Sequence, residues 1–367
     1  MKLRRLTGLL LCLVLLFCTG CSQSAAPRSA PSPTAEEQTL SSPLETPAET
    51  PSDQQAEETV SNEKTDPAPA QEASFTLCAY LPVSSMTQGA AAVAEEYAGS
   101  IAALDYLVLN TGAYWDENGA LSLSDELLDA IETLQGKTAL WCTVNPQGAL
   151  IREGTAGQSI DSPQERQALA QEIAAFAEQY GLAGIDIDWE FPLDDEWEDF
   201  STFLIALKDT LSRNSEPVAL SLALYPEEIA LSEEAIAALD RIHMMAYDQF
   251  DSEGFHSTMQ AAEDAVAYFT ALGASPQQLV LGIPAYGRPL DGSAQWVFYK
   301  DIDPESISGE NPDLVGDISF NSTATAAQKT QYALEQNLGG VMVYQLLCDR
   351  NDQDALILAC ANMAENA

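Results

Sequence analysis

The sequence predicts a (β/α)8 barrel, and three observations carry this prediction. Beyond residue 74 the chain alternates short apolar runs with amphipathic stretches at helical spacing. Eight apolar runs occur, which suits eight parallel strands that are each followed by a helix. No glycine-rich phosphate loop follows the first run. The alternative, an open doubly wound sheet, rarely needs eight such units.

The predicted strands are the apolar runs themselves. They are "FTLCAY" (75–80), "LDYLVLN" (104–110), "TALWCTVN" (138–145), "LAGIDIDWE" (182–190), "VALSLALY" (218–225), "RIHMMAY" (241–247), "LVLGIPAY" (279–286) and "GGVMVYQL" (339–346). Helices are predicted between them, for example at 162–180 after a serine cap, and at 322–337. Residues 288–320 then form a long loop after the seventh strand, where loops shape a barrel's site.

Composition limits the partners of this chain. Its 367 residues include 46% hydrophobic residues, enough for a well-filled core. The 56 Asp and Glu residues against 15 Lys and Arg give a net charge of -41. Such a surface repels phosphates and anionic lipid headgroups, so we exclude nucleic acid and expect neutral or cationic ligands and a monomer.

The N-terminus resembles an export signal. Residues 1–21 begin with basic residues, continue with an apolar run from Leu9 to Phe17, and end in "CTGC". This ending resembles a bacterial lipobox, in which Cys21 becomes the acylated first residue, although Cys18 stands where such motifs usually have Leu. The alternative is an ordinary cleaved signal peptide. Both predict export, and any membrane contact is expected only through the lipid anchor.

Residues 22–74 differ sharply from the remainder of the chain. Pro, Ala, Ser, Thr, Glu and Gln dominate this segment, and it contains no aromatic residue. A segment of this composition cannot bury enough apolar surface to offset its ordering entropy, so we expect it to be disordered. Such a tether has a root-mean-square reach on the order of 40 Å. The barrel is then predicted at 75–367.

Neither cysteine nor histidine predicts a metal site. The cysteines beyond the linker are widely spaced and form no CxxC pair: Cys78, Cys142, Cys348 and Cys360. The first two lie in apolar strands and are interpreted as small buried hydrophobes, whereas the sequence leaves open whether the last two are oxidised together. His243 and His256 show no metal-ligand spacing, which favours structural roles.

The stretch "GIDIDWEFP" (184–192) carries the most unusual pattern. Asp186, Asp188 and Glu190 occupy alternate positions, with apolar residues between them. Alternate positions of a barrel strand point into the barrel, so we expect these three carboxyl groups, hereafter the acidic row, to face inward. Charge repulsion and burial then raise the pKa of at least one of them, as a general acid requires. The alternative, a solvated edge strand, conflicts with the apolar neighbours.

The acidic row resembles the DxxDxDxE signature of glycoside hydrolase family 18, the family of many chitinases and endo-β-N-acetylglucosaminidases. Three further motifs follow in the family's order: "MAYD" (245–248), "LVLGIPAYGRP" (279–289) and "GGVMVY" (339–344). "EDFSTFLIAL" (198–207) is similar to the helix after the signature. The resemblance covers residues 75–364, and four motifs in register are far more specific than one.

The resemblance implies roles for five residues and requires no cofactor. Glu190 is the acid that protonates the glycosidic oxygen, and Asp188 orients the substrate's 2-acetamido group. Asp186 tunes proton sharing between these two carboxyl groups. Tyr247 donates its hydroxyl to the acetamido oxygen, and Asp248 holds the distorted sugar. The nucleophile in this family is the substrate's own acetamido oxygen, and the reaction retains the anomeric configuration.

Three departures from the family pattern affect the inference. Ala183 replaces the first Asp of the signature, but its strand parity directs it away from the site. Tyr344 stands where chitinases usually place a tryptophan beneath the reacting sugar. The third strand lacks the SxGG motif, which weakens any assignment around Trp141 and Asn145.

Other aromatic residues are candidates for sugar binding. Besides Tyr344 they are Tyr80, Trp115, Trp197 and Trp296. An aromatic ring stacks on a pyranose, but each tryptophan of this set equally suits ordinary packing.

The sequence therefore predicts an exported, retaining hydrolase of β-1,4-linked N-acetylglucosamine glycans, with chitin-type oligosaccharides as the favoured substrate. The N-glycan core and the glycan strand of peptidoglycan are alternatives. A catalytically silent sugar-binding lipoprotein is a further alternative from a different class.

Overall fold

The computed structural model describes residues 75–307 and 311–367. The predicted leader (1–21), its acylation site Cys21 and the predicted linker (22–74) lie outside the described residues. These assignments therefore stay predictions.

Eight parallel strands form a closed barrel, which confirms the predicted fold class. The strands are β1 (Thr76–Pro82), β2 (Tyr106–Trp115), β3 (Ala139–Pro146), β4 (Gly184–Ile187), β5 (Ala219–Leu224), β6 (Arg241–Met244), β7 (Leu279–Pro284) and β8 (Gly340–Tyr344). Each strand pairs with its successor, and β1 pairs with both β2 and β8, which closes the ring. A closed barrel leaves no edge strand, so the solvated-edge alternative for the acidic row is excluded.

Helices surround the barrel in chain order. They are α1 (Ala90–Glu96), α2 (Ala98–Ala102), α3 (Asp125–Leu134), α4 (Gly148–Glu153), α5 (Pro163–Tyr180), α6 (Trp197–Leu211), α7 (Glu233–Ala238), α8 (Met259–Ala271), α9 (Thr323–Glu335) and α10 (Leu356–Glu365). The predicted helix at 162–180 is α5, which begins at a capping box between Ser162 and Glu165. It ends at Gly181, whose φ of 63° provides the left-handed cap.

The core has two layers, and β4 contributes to both. Ile185, Ile187 and Trp189 are buried in the outer layer, between strands and helices. The inner layer fills the barrel and is largely aromatic, with Tyr80, Tyr106 and Trp141 among its members. The alternation predicted from the sequence therefore places the apolar residues of β4 outward, as expected.

Five strands are shorter than predicted, and the early ends of β4 and β6 determine what lies at the mouth of the barrel. β4 ends at Ile187 and β6 ends at Met244. The segments that follow carry Asp188 with Glu190 and Tyr247 with Asp248, so these side chains lie beyond the carboxyl ends of the strands. In (β/α)8 barrels this is the end that carries the active site.

The long connection predicted after the seventh strand is present, between β7 and α9. It contains a small antiparallel sheet from the strands Tyr286–Pro289, Val297–Phe298, Leu314–Val315 and Ile318–Ser319. The sequence did not indicate this sheet, because its short strands pair with one another rather than with the barrel, a long-range pairing that local sequence does not reveal. We call residues 286–319 the insertion.

Cys78, Cys142, Cys348 and Cys360 are all buried free thiols. The first two confirm the interpretation as buried hydrophobes, and the last two are not joined. Within 75–307 and 311–367, no helix combines the length and apolar character needed to span a bilayer.

We predict that Gly184→Ala destabilises the barrel. A Cβ at this position would lie 2.1 Å from the indole of Trp141, which stacks on Tyr106 inside the barrel. Overpacking of this kind costs about 1 to 3 kcal/mol, measurable as a lower midpoint in urea denaturation. Gly99→Ala is the control, because a Cβ there meets no atom within 4 Å. Equal midpoints for Gly184→Ala and the parent would contradict the interior packing described here.

Candidate active site

Asp186 lies at the centre of the site and is fully buried, at 0% exposure. Three hydroxyl groups donate to its carboxylate: Ser221 Oγ at 2.5 Å, Tyr80 at 2.8 Å and Thr143 Oγ1 at 3.0 Å. His243 Nδ1 lies 3.2 Å from its Oδ1. These partners come from β5, β1, β3 and β6. Both oxygens of this buried carboxyl group are therefore hydrogen-bonded.

Asp188 is the next member of the acidic row. Its backbone N–H donates to Asn145 Oδ1 at 2.8 Å, which fixes the chain where β4 ends. Burial of its carboxyl group raises the pKa well above the usual range, and the charges of Glu190 and Asp186 raise it further, against a smaller opposing effect of Asn145. Its Oδ1 is buried and has no hydrogen-bond partner among residues 75–307 and 311–367.

Glu190 is half-buried and completes the row two residues further on. The negative charge of Glu190 lies close enough to raise the pKa of Asp188. Two neighbouring carboxyl groups, one of which has a raised pKa, form a pair. This pair keeps one proton at pH values at which an isolated carboxyl group is already ionised. The acidic row is therefore suited to general acid chemistry.

Aromatic rings form a wall beside the acidic row. Tyr247 stacks on Tyr344 with 5.6 Å between ring centroids, and Tyr286 stacks on Trp296 at 3.7 Å. Trp296 also meets Tyr344 edge-on at 6.2 Å. Tyr344 and Trp296 remain half-buried, so both keep accessible surface. Burial raises the pKa of Tyr247 well above its usual range, with Tyr344 and Asp188 adding to the effect, so its hydroxyl is a neutral donor.

Asp248 is held in an ionised state beside this wall. It has a left-handed φ of 61°, pairs with Arg288, and accepts a hydrogen bond from Tyr286 at 2.9 Å. His256 Nε2 lies 3.4 Å from its Oδ1. Burial raises its pKa, but His256, Arg288 and Tyr286 outweigh burial and leave the pKa below the ordinary value. Asp248 is therefore a charged acceptor at the mouth of the barrel.

Two predicted sugar contacts require correction. Trp115 is 0% exposed in the outer core, where it packs edge-on against Trp189 and donates Nε1–H to Ser159 at 2.9 Å. It cannot be a sugar platform. Tyr80 is 2% exposed, and its hydroxyl contacts Asp186 and His243 inside the barrel, so it supports the acidic row instead of binding substrate. Trp197 is also buried, at the start of α6.

Sequence reasoning missed the hydroxyl groups around Asp186 and the partner of Asp248. Ser221 and Thr143 are polar residues within apolar strands, and they face inward at the level of Asp186, with which both are in register. Inward parity was the signal that would have identified them. Arg288 lies in the "AYGRP" motif. Although the third strand departs from the family pattern, its Thr143 and Asn145 contact the acidic row directly.

Ala183 precedes β4 and is exposed at the end of the strand opposite the mouth. Its backbone N–H bonds the Leu140 carbonyl. Its position, away from the acidic row, is the one expected from its parity.

A cavity of about 490 Å³ lies between the end of β5, the segment after β6 and α8. Tyr225, Phe250 and Tyr268 are among its lining residues. The Tyr225 hydroxyl lies 3.5 Å from the backbone carbonyl of Asp248, which links this cavity to the site. In the described part of the chain, no three His, Cys, Asp or Glu side chains are grouped to share a metal ion.

Known proteins share this sequence pattern and fold. The family described as Glycosyl hydrolases family 18 matches residues 153–349. Probable chitinase 2 of Drosophila melanogaster is 27% identical over 181 residues, which cover 44% of this chain and 37% of that protein. Chitinase 1 of Aphanocladium album is 25% identical over 252 residues, which cover 54% of this chain and 60% of that protein. The chain thus spans only 37% to 60% of the length of these relatives.

A solved structure supports the same fold. The GH18 chitinase ChiB from the chitin utilization locus of Flavobacterium johnsoniae superimposes with a TM-score of 0.67 at 22% identity, covering 80% of this chain and 94% of that one. The family match contains the acidic row, Tyr247, Asp248 and Tyr344, and it extends over more than half of the chain. The chain therefore belongs to glycoside hydrolase family 18.

Proposed function

We propose that this protein is an exported, retaining glycoside hydrolase that cleaves β-1,4-linked N-acetylglucosamine glycans, with chitin-type oligosaccharides as the first choice of substrate. The observation that carries the proposal is the acidic row at the mouth of a closed barrel. A buried, hydroxyl-bonded Asp186 lies beneath Asp188, whose pKa is raised, and Glu190 lies beyond both. The relatives named chitinases favour the same substrate class.

In the first step, Glu190 donates its proton to the glycosidic oxygen while the substrate's acetamido oxygen attacks the anomeric carbon. The bond between that carbon and the glycosidic oxygen breaks, the leaving sugar keeps the proton, and a cyclic oxazolinium ion forms. Asp188 Oδ1, the buried oxygen without a partner in the described part of the chain, accepts the acetamido N–H. Tyr247 donates its neutral hydroxyl to the acetamido oxygen.

In the second step, water attacks the anomeric carbon from the face the leaving sugar vacated. Glu190, now a carboxylate, accepts the proton of this water and returns to its starting state. The ring of the oxazolinium ion opens and restores the acetamido group. Two inversions at one carbon give net retention. A positioned proton donor and acceptor contributes typically about 10²- to 10⁴-fold in each role.

The aromatic wall and Asp248 bind the sugar. Tyr344 and Trp296 offer partly accessible faces for stacking, and the ionised Asp248 accepts hydrogen bonds from sugar hydroxyls. A surface with a net charge of -41 suits a neutral glycan better than an anionic one. Tyr344 in place of the tryptophan usual in chitinases keeps the N-glycan core and peptidoglycan as alternative substrates.

A catalytically silent sugar-binding protein is the second candidate. Tyr344 and the altered third strand favour it, whereas Glu190 with both aspartates, and the contacts of Thr143 and Asn145, favour an enzyme. A lectin needs no raised carboxyl pKa. The enzyme is therefore the better-supported candidate.

We also propose that the mature protein begins at an acylated Cys21 and that residues 22–74 tether the barrel outside the cell membrane. The basic start, the apolar run and the "CTGC" ending support this location. A secreted protein without an anchor is the alternative.

The substitution Glu190→Gln tests the acid. The amide keeps the shape of the site but has no acidic proton to transfer, so we expect kcat on chitin oligosaccharides to fall by about 10²-fold or more. Oligosaccharide binding, measured by calorimetry, should persist. Glu132→Gln is the control, because that glutamate is exposed on α3. A variant that cleaves as fast as the parent would show that Glu190 is not the acid.

A substrate panel tests the mechanism and the substrate class together. The full chain is incubated with chitin oligosaccharides, a high-mannose glycoprotein and peptidoglycan, and the products are identified by mass. Cello-oligosaccharides and sugars deacetylated at the reacting unit should remain intact, because they lack the nucleophilic acetamido oxygen. Early proton NMR should show the new reducing end as the β-anomer. Brisk hydrolysis of cello-oligosaccharides or an α product would exclude substrate assistance, and no cleavage of any glycan would favour the lectin.

Membrane attachment is tested with Cys21→Ser. Loss of the acylated residue should leave the protein unprocessed or release it from the membrane fraction, because the acyl chains supply the anchoring free energy. Cys18→Ser is the matched control, since it changes a neighbouring cysteine of the same leader. If the parent and both variants partition equally between membrane and soluble fractions, "CTGC" is the end of an ordinary signal peptide and not a lipidation site.

A further inference from the structure

His243 lies on β6 inside the barrel, directly beneath the acidic row, and is 0% exposed. Its Nδ1 lies 2.7 Å from the Tyr80 hydroxyl and its Nε2 lies 2.9 Å from the Tyr106 hydroxyl. Both ring nitrogens are therefore engaged by tyrosines of neighbouring strands. The proposed mechanism gives this imidazole no role, and its sequence indicated none.

The hydrogen atoms around Asp186 can be assigned by counting donors. Ser221, Thr143 and Tyr80 each have one hydroxyl proton, and all three direct it at the Asp186 carboxylate. A tyrosine hydroxyl has a single proton to donate. Because Tyr80 uses that proton on Asp186, its oxygen must accept the bond from His243 Nδ1, which therefore carries a proton.

We infer that His243 is a positioning residue whose Nδ1–H holds the Tyr80 hydroxyl on the Asp186 carboxylate, beneath Asp188. The inference rests on the proposed function for its catalytic meaning, although the proton position is a property of the folded protein alone. The opposite tautomer, with hydrogen only on Nε2, would draw the Tyr80 proton to Nδ1. Asp186 would then lose one of its three hydroxyl donors.

The charge of Asp186 matters because it acts on the carboxyl groups above it. This charge is one of the causes that raise the pKa of Asp188, after burial and Glu190. If Asp186 gains a proton, the Asp188–Glu190 pair retains its own proton less strongly. The alkaline limb of the activity profile, where that proton is lost, then moves to lower pH.

Other groups also act on this interior and stay unchanged in the test below. The titratable or charged side chains that act on it are Cys78 and Tyr80 on β1, Tyr106 on β2, Cys142 on β3, Asp188 and Glu190 after β4, Tyr247 after β6, Tyr344 on β8, and Asp105 and Arg241 at the opposite end of the barrel. From β7 and β8, Val280 and Met342 contribute only apolar contacts. Asp186 lies 3.2 Å from Nδ1 of His243 and shares the Tyr80 hydroxyl with that ring, so it is the acidic group on which His243 acts most directly.

The proton position is measured by NMR on the full chain labelled with ¹⁵N-histidine. The chain has only 2 histidines, and His256→Gln assigns the two rings. We expect a proton on Nδ1 of His243, either as the neutral Nδ1–H tautomer or as the imidazolium ion. A neutral ring with hydrogen only on Nε2 overturns the inference. This experiment needs no substrate, so its result is independent of whether the protein hydrolyses chitin.

A matched pair of variants tests the catalytic meaning. The amide of His243→Asn places an N–H near the position of Nδ1, whereas the longer His243→Gln places it near Nε2. We expect His243→Asn to keep the pH profile of kcat/KM on chitin oligosaccharides. We expect His243→Gln to lower kcat by about tenfold to 100-fold and to shift the alkaline limb to lower pH.

Tyr80→Phe removes the hydroxyl that links His243 to Asp186. It should therefore reproduce the shift of the alkaline limb expected for His243→Gln. Circular dichroism and melting temperatures establish that each variant is folded. Unchanged profiles in His243→Gln and Tyr80→Phe, or equal shifts in His243→Asn and His243→Gln, overturn the inference. If the variants do not fold, the NMR measurement on the parent decides it. If the parent cleaves no glycan, the proposed function is wrong. The position of the proton on His243 is then still decided by the NMR result.

Discussion

The burial of Asp186 is the constraint on which the site depends. A carboxylate at 0% exposure is costly unless hydrogen bonds replace its water. Here the replacements come from β1, β3, β5 and β6, and they meet only when the barrel closes with the observed register. Thr143 and Ser221 are the register partners of Asp186 on its two sides. Barrel closure and the hydrogen bonding of the central acid are therefore coupled.

The short strands β4 and β6 turn this coupling into a usable site. Because β4 ends at Ile187, Asp188 and Glu190 leave the ladder and enter the mouth instead of the packed interior. Asn145 compensates by accepting the N–H of Asp188, which has no ladder partner at that point. β6 likewise ends early, at Met244, so Tyr247 and Asp248 also lie beyond the ladder. Each acidic residue thus has a different depth and a different electrostatic environment, although three positions of one segment supply them.

Much of this arrangement was predictable from sequence, because it depends on alternation along strands. The barrel, the inward acidic row and the outward Ile185 and Ile187 follow from parity. The outward position of Trp115 was not predicted, because the predicted second strand stopped at Asn110. The strand continues to Trp115 through a register shift that inserts two extra residues. Because two residues are inserted, Trp115 faces outward as Leu109 does. Tyr80 was assigned to the sugar because sequence shows that a side chain faces inward but not which partner strand supplies its bond.

The insertion was the least predictable element, and it separates substrate contact from proton chemistry. Trp296 and Arg288 belong to the insertion, whereas Asp186 and its partners belong to barrel strands. The aromatic wall joins the two sets where Trp296 meets Tyr344. Because different parts of the chain hold the rings and the acids, the rings can be altered while the hydrogen bonds around Asp186 persist. Under the proposed function, the insertion and β8 would therefore set the choice of glycan, and the register of the barrel would set the chemistry.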